Sequence, residues 1–453
     1  MNTSTAQKSV FTFKKGGIHP PENKHYSESV PVAGAPVPET FVVPLSQHLG
    51  SPSEAVVEVG AKVGYGELLA KSSGFISANI HSPCAGEVKE FTDIFLPHGG
   101  RAKAVVIESD GSDAPEYPEN DAWKSMDAKA IADNIAANGI VGMGGATFPA
   151  HVKFSLPKGY SAEYLVINGV ECEPYLTSDH RLMLEKTAEI FKGLEILYKV
   201  LEPKEIRIGI EKNKPDAIKR MQEFAAKASI PVKVFPLKVK YPQGDEKQLL
   251  KAVIDREVPS GALPLEVGAV VANVGTVNAV YEAVACGKPL YERNVTVSGA
   301  GIKKPVNLKA RVGTPISMLI EAAGGSLDET AKLVVGGPMM GFAIFDPATP
   351  VTKGTSGVLA LTEKELRRSK QTNCISCGRC IAACPMGLNP TRIFKFLDHQ
   401  EYEEALAAGL LDCKECGCCG FSCPAHIPLV QGMKGGKYEL RRRKARKDAA
   451  ARG

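Results

Sequence analysis

Two copies of one cysteine pattern lie near the C-terminus: Cys374, Cys377, Cys380 and Cys384 before Pro385, then Cys413, Cys416, Cys419 and Cys423 before Pro424. Each reads CxxCxxCxxxCP. In this run three closely spaced thiolates hold a [4Fe-4S] cluster, and where two such runs occur the fourth cysteine reaches across to the other cluster. That rule assigns Cys374, Cys377, Cys380 and Cys423 to one cluster, and Cys413, Cys416, Cys419 and Cys384 to the second. Two tetrahedral zinc sites are the alternative, because paired CxxC motifs also make them. Zinc ribbons need neither the third cysteine at the same spacing nor the trailing CP, so the cluster reading is preferred and the chain is expected to carry electrons singly. Cys418 breaks the two-residue spacing from Cys416 and is read as a non-ligand.

The loop Gly142-Met143-Gly144-Gly145-Ala146-Thr147-Phe148, followed by Pro149 and Lys153, is the second feature that carries chemistry. Glycines let backbone N–H groups approach a phosphate closely, and a following helix N-terminus adds a favourable dipole. It is not the ordinary dinucleotide fingerprint, which would follow a strand and place a third glycine where Thr147 stands. Three further segments accompany it: NGVECEP from Asn168 to Pro174, YPQGDEK from Tyr241 to Lys247, and ANVGT from Ala272 to Thr276.

The elements that must hold these residues follow from periodicity. At 453 residues, 44% of them hydrophobic, the chain is long enough for several domains with real cores. Four of its twelve cysteines (Cys84, Cys172, Cys286 and Cys418) lie outside the two motifs, so nothing suggests a disulfide framework, and thiolate cluster sites point to a reducing compartment. The N-terminus lacks an apolar core of signal-peptide length. The longest apolar stretch, Val267 to Val280, is shorter than a membrane span and carries Asn273 and Asn278. A protein soluble in its own right, or peripheral to a membrane, is expected. Of the net charge of +5, the segment from Lys434 onward holds nine Lys or Arg against Glu439 and Asp448, so the remaining body is slightly acidic. Such a tail is a solvated, partly helical end, or docks to an acidic partner or anionic lipid. Nucleic acid is not expected, since Tyr438 is the tail's lone aromatic and no reading module accompanies it.

Residues 1–37 end in a Pro-rich run that reads as an extended linker. Residues 38–112 read as short strands, at Ala55–Val59, Gly64–Ala70, Gly74–Ile80, Gly86–Phe91 and Lys103–Glu108. From 120 to 287 helix and strand alternate: strands at Ala162–Asn168, Glu205–Ile210, Val232–Leu237 and Ala269–Val274, helices at Ala128–Asn138, Asp179–Val200, Asp216–Ala228, Glu246–Arg256 and Val277–Ala285. That order implies a parallel sheet with right-handed crossovers, whose ligands gather at the carboxyl ends of strands, where Asn168 and Asn273 fall. Residues 290–345 read as a small β unit with one helix, Glu363–Ser369 as a short helix leading into the cysteine region at 363–430, and 431–453 as the basic tail.

Several of these stretches resemble known families. VEVGAKVGYGELLAKSSGFISANIHSPCAGEV resembles the biotinyl/lipoyl half-barrels, with Phe75 about where the prosthetic lysine would stand, which implies the fold without swinging-arm chemistry. Residues 292–345 resemble the soluble-ligand-binding β-grasp (SLBB) domains, and the cysteine region a two-[4Fe-4S] ferredoxin-like unit. GMGGATFPAHVKF, NGVECEP, YPQGDEK and ANVGT are similar, in order and spacing, to the FMN and NADH site of the flavoprotein subunit of respiratory complex I. The resemblance implies a Rossmann-like α/β fold and places Gly142, Gly144, Gly145, Ala146, Lys153, Asn168, Glu171, Tyr241, Gly244, Asn273 and Thr276 around FMN. It puts Phe148, Asp245 and Glu246 on the nicotinamide nucleotide side. The chain departs from that family at Met143 for Arg, Val170 for Asp and Asp245 for Glu. With GGIHPPENK, Gly16 to Lys24, the resemblance extends over nearly the whole chain to the C subunit of Rnf electron-transport complexes.

The resemblance implies a multidomain α/β and α+β oxidoreductase subunit, peripheral on the cytoplasmic face of the membrane and docked on the other Rnf subunits. NADH delivers electrons as a hydride pair and clusters accept one, so a flavin between them is the natural converter. Lys153 is expected to hold phosphate, and Glu171 and Glu246 to orient the rings. No acid–base or nucleophilic residue is needed, and His19, His25, His81 and His151 read as packing, turn or surface residues. Two alternatives stand beside this: a cobalamin reductase of the propanediol-utilisation type, and a flavin-free electron relay kept in view by Met143 and Val170.

Overall fold

The computed structural model describes residues 11–366 and 369–450. Its strands form four sheets, and the one that positions the candidate site is parallel throughout. It runs Val232–Leu237, Glu205–Glu211, Tyr164–Asn168, Ala269–Asn273 across the sheet. Apolar β-branched runs make these strands, because both faces are covered: Leu165, Ile167, Ile206 and Ile208 enter a core with the helices Ala128–Ala137, Thr187–Leu201 and Val274–Cys286, while Val166 and Val271 enter a second core with the Glu246–Ile254 helix. The first strand in the chain lies between the second and the last. The strand order therefore reverses between Tyr164–Asn168 and Ala269–Asn273, and that reversal is the switch point where open α/β sheets take ligands.

Three other sheets surround it. Thr40–Pro44, Arg101–Ser109, Gly86–Phe95 and Lys62–Val63 form an antiparallel sheet, and Glu54–Ala55, Leu68–Lys71 and Ile80–His81 a smaller one facing it over Phe41, Leu69, Ile80, Val88 and Val105. A mixed six-stranded sheet of Val32–Gly34, Val306–Arg311, Glu292–Ser298, Gly357–Thr362, Thr330–Val335 and Phe342–Ile344 packs on the Ile316–Ala322 helix. The cysteine region is helical, in short pieces (Arg379–Ala383, Pro390–Asp398, Tyr402–Ala407, Cys418–Ser422) closed by the Leu429–Ala450 helix.

Four expectations from sequence need correction. The Pro-rich N-terminal run is not a free linker: Val32, Ala33 and Gly34 pair in parallel with Asn307, Leu308 and Lys309. The Gly74–Ile80 stretch is a loop up to its last residue, which enters the Ile80–His81 strand, because Ser77 Oγ takes the Ser73 N–H at 3.2 Å and donates to Ser51 O at 3.0 Å, local bonds that replace a ladder. The Asp179–Val200 helix breaks at Lys186, where Thr187 Oγ1 bonds back to Met183 O at 2.6 Å, leaving Ser178–Glu185 and Thr187–Leu201. Glu363–Leu366 forms a turn rather than helix, and Arg367 and Arg368 of that stretch lie outside the described residues.

Candidate functional site

At the switch point Asn168 and Asn273 are directly paired across the two strand ends. Their side chains do different work. Asn273 caps the Val274–Cys286 helix, its Oδ1 accepting the Gly275 N–H at 2.8 Å, and its Nδ2 donates to Asp179 Oδ2 at 2.6 Å. Asn168 Nδ2 donates to Gly244 O at 2.8 Å, which ties the YPQGDEK turn to the sheet. Glu171, at φ +47°, turns its carboxylate onto the start of the next helix and accepts from Asp179 N at 2.7 Å and His180 N at 3.2 Å. Two helix N-termini thus converge on the strand ends, one already met by the Glu171 carboxylate and the other capped by Asn273.

The glycine loop forms the outer lip. Val141 and Pro149 bridge its base, Gly142 N donates to Phe148 O at 2.8 Å, and Met143 N donates to Thr276 Oγ1 at 2.9 Å. Gly144, Gly145 and Ala146 are exposed. Gly145 takes φ +135°, which a side chain would strain, and a Cβ on Gly144 would lie 3.1 Å from that of Asn273. The lip therefore offers bare peptide. Phe148 is half-buried behind it. Lys153 does not point a free cation at the lip: its Nζ donates to Glu246 Oε1 and to Val271 O, both at 3.0 Å. Asp245 caps the Glu246–Ile254 helix through Lys247 N and Gln248 N, and burial raises its carboxyl above the usual range.

Two acids that sequence reasoning did not single out stand out electrostatically. Burial, then the neighbouring Glu171, pushes Asp179 up to about 7 against the pull of Asn273 and Arg293. Burial pushes Glu173 up to about 7 as well, although its carboxylate accepts from Met339 N and Met340 N, both at 3.0 Å, and from Tyr241 Oη at 3.3 Å. Glu173 was visible within NGVECEP, but nothing in the spacing shows that a loop from another sheet would close over it. Met143 and Val170, where the chain departs from the complex I pattern, are packing positions: Met143 lies against the large core and Val170 is fully buried.

The two cysteine runs share one local geometry. In each, the first sulfur accepts an N–H from two residues on at 3.4 Å, Ser376 to Cys374 and Glu415 to Cys413, and that donor residue is left-handed at φ +55° and +56°. Glycines with φ +72° and +83°, Gly378 and Gly417, then start each short helix. Cys384 crosses to the other run: it lines one small cavity with Cys413, Cys416, Cys418 and Cys419, and burial, then Cys413, Cys416 and Cys384, pushes the Cys419 thiol up to about 12. Cys380, Cys419 and Cys423 share an apolar cluster, while Cys374 and Cys377 are exposed. Among the described residues no group of three or more His, Cys, Asp or Glu is drawn in to metal-holding geometry. Cys418 is fully buried against Tyr241, its Sγ 4.0 Å from Tyr241 O.

Comparison with known proteins agrees with this architecture. Residues 11–112 match the RnfC barrel sandwich hybrid domain, 135–282 the Nuo51 FMN-binding domain and 294–343 the SLBB domain. The chain is 44% identical over 393 residues to the C subunit of the proton-translocating ferredoxin:NAD(+) oxidoreductase complex of Clostridium ljungdahlii, covering 86% of each chain. It is 43% identical over 441 residues to the C subunit of an ion-translocating oxidoreductase complex of Rhodobacter capsulatus, covering 96% of this chain and 84% of the relative. With the C subunit of the Na(+)-translocating ferredoxin:NAD(+) oxidoreductase complex of Acetobacterium woodii the identity is 40% over 428 residues, 94% and 96% of the two chains. A half-barrel, a switch-point site of the Nuo51 type and an SLBB unit in one chain, with relatives of this identity over nearly its whole length, show that it belongs to the family of C subunits of the Rnf oxidoreductase complexes.

Proposed function

We propose that this oxidoreductase subunit exchanges hydride between NADH and FMN at the switch-point site and moves electrons singly through two [4Fe-4S] clusters to the membrane-bound subunits of its complex, on the cytoplasmic face. The relatives named for ferredoxin:NAD(+) oxidoreduction support the reading, as does the match to an FMN-binding domain. The observation that carries it is a shared wall: Tyr241, in the turn that closes the strand-end site, lies with Cys172, Cys416 and Cys418 in one packed cluster.

The residues fit both groups. A lip of exposed backbone free of side chains, beside the Lys153–Glu246 pair, suits a phosphate-bearing ring system, with Gly142, Gly144, Gly145, Ala146, Asn168, Gly244, Asn273 and Thr276 as its bed. When bound, FMN supplies the conversion between two-electron and one-electron chemistry. The chain's own residues position it: Thr276 fixes the lip through Met143, Asn273 orients Asp179, and Glu246 fixes Lys153. For each NADH oxidised, one NAD, one proton and two electrons leave the site. Main-chain N–H bonds onto Cys384 and Cys413, from Leu388 and Glu415, are the donors that cluster sulfurs require. Cys384, Cys413, Cys416 and Cys419 would hold the cluster nearer the Tyr241 wall, against which Cys416 packs, and Cys374, Cys377, Cys380 and Cys423 the other, at the exposed Cys374 and Cys377.

Anaerobic NADH titration of the protein reconstituted with FMN, iron and sulfide tests this. Bleaching of flavin followed by cluster reduction in absorbance and EPR is the expected course. Clusters that form while no flavin binds or bleaches would leave only an electron relay.

A further inference from the structure

The N-terminal segment with GGIHPPENK is not consumed by either site, yet it touches both. Gly17 N donates to Ala383 O at 2.9 Å, beside Cys384. Gly16 sits at φ +60°, and a Cβ there would fall 2.3 Å from Cys384 O and 2.7 Å from Pro385 N, so only glycine allows this approach. The next residue, Ile18, exchanges both backbone hydrogen bonds with Tyr241, at 2.8 and 2.9 Å. Farther along, Glu22 O accepts the Tyr175 N–H at 2.8 Å, and its carboxylate accepts from Asn213 at 2.7 Å. The segment ends on Lys24, which is 4% exposed and whose Nζ donates to three carbonyls, Glu171 at 2.9 Å, Glu173 at 3.0 Å and Leu176 at 2.6 Å. Three N–H donors on one cation match three carbonyls on one loop, which gathers that loop into a single conformation.

We propose that Gly16–Lys24 is a strap that sets the separation between the flavin site and the cluster of Cys384, Cys413, Cys416 and Cys419, with Gly16 and Lys24 as the positioning residues at its two ends. Electron transfer between two fixed centres depends on their spacing, and here nine residues grip the cluster turn at one end and the NGVECEP loop at the other. The segment sets a glycine against Cys384 and a buried lysine against the Glu171 and Glu173 carbonyls at once. The inference rests on the flavin-and-cluster reading above.

The test uses the full chain loaded with FMN and clusters and mixed anaerobically with NADH, following flavin bleaching and cluster reduction separately by stopped-flow absorbance and freeze-quench EPR. Gly16→Ala is expected to keep its iron, its FMN and the wild-type rate of bleaching, and to reduce its clusters several-fold more slowly, since electron transfer slows steeply as the separation of its two centres grows. Wild-type cluster reduction in Gly16→Ala overturns the strap while leaving the proposed function standing. Wild-type protein that never bleaches overturns both. Should the variant lose iron or fail to fold, hydrogen exchange on the wild type decides: FMN loading is expected to slow exchange at least threefold in the peptide carrying Gly17 and Ile18, and unchanged exchange there rejects the inference.

Discussion

Thr276 commits its hydroxyl to the main-chain N–H of Met143, and with it the lip of the candidate flavin site. Thr276→Val keeps the shape and removes that bond, which is worth about 1 kcal/mol. FMN affinity is expected to fall about fivefold, read by flavin fluorescence titration, and an unchanged Kd would show that the lip is held by other means. At the cysteines a paired comparison separates ligand from bystander. Cys377→Ala is expected to lose about one cluster's iron, and Cys418→Ala none, because Cys418 falls outside the ligand spacing of its run. Equal iron losses in the two variants would overturn the assignment of ligands.

Among the elements, the Thr352–Thr355 turn joins three units. Lys353 is fully buried there, with Nζ donating to Asn79 O of the half-barrel and Gly139 O at the end of the Ala128–Ala137 helix, both at 2.7 Å. Burial lowers its pKa from 10.5 to about 7, and its charge in turn helps to lower His48 and His81. Arg293, the other cation at the turn, donates to Lys353 O. The unfolded chain holds the Lys353 proton up to about 10.5 and the folded chain releases it near 7, so this group makes stability lowest below 7 and raises it with pH between those values. Lys353→Met is expected to flatten that rise by about one proton in denaturation curves taken from pH 7 to 10. A slope identical to wild type would mean the lysine titrates normally.

Across the whole molecule, the basic C-terminus is a helix rather than a loose tail. Leu429 and Met433 are buried in it and Leu440 packs beside Ile393 and Leu410, so truncation after Leu429 would open a core. Truncation after Leu440 keeps the buried Leu429 and Met433 and removes Arg441, Arg442, Arg443, Lys444, Arg446, Lys447 and Arg452. Among the described residues no helix is long and apolar enough to cross a membrane. If the helix end docks the subunit on its complex or on anionic lipid, the truncated chain should partition less onto membranes, with the deficit largest at low salt, where charge is least screened. Equal partitioning at every ionic strength would assign the docking surface elsewhere.

The sequence by itself determined what depends on residue type and short spacing. Thiolates at CxxCxxCxxxCP, glycines in the lip and apolar runs in the parallel strands are local requirements, and Val232–Leu237 appears in the structure at the bounds read from its periodicity. Tertiary structure alone decided what depends on distant segments meeting. Burial raises the pKa of Glu173 against the pull of N–H bonds from a loop 166 residues away, and Lys24 reaches carbonyls nearly 150 residues on. Helix periodicity could not show the break at Lys186, since it rests on one hydroxyl bonding back to Met183. Nor could composition tell a linker from the strap and edge strand of residues 11–34, because a proline- and glycine-rich chain becomes ordered only through the partners it packs against.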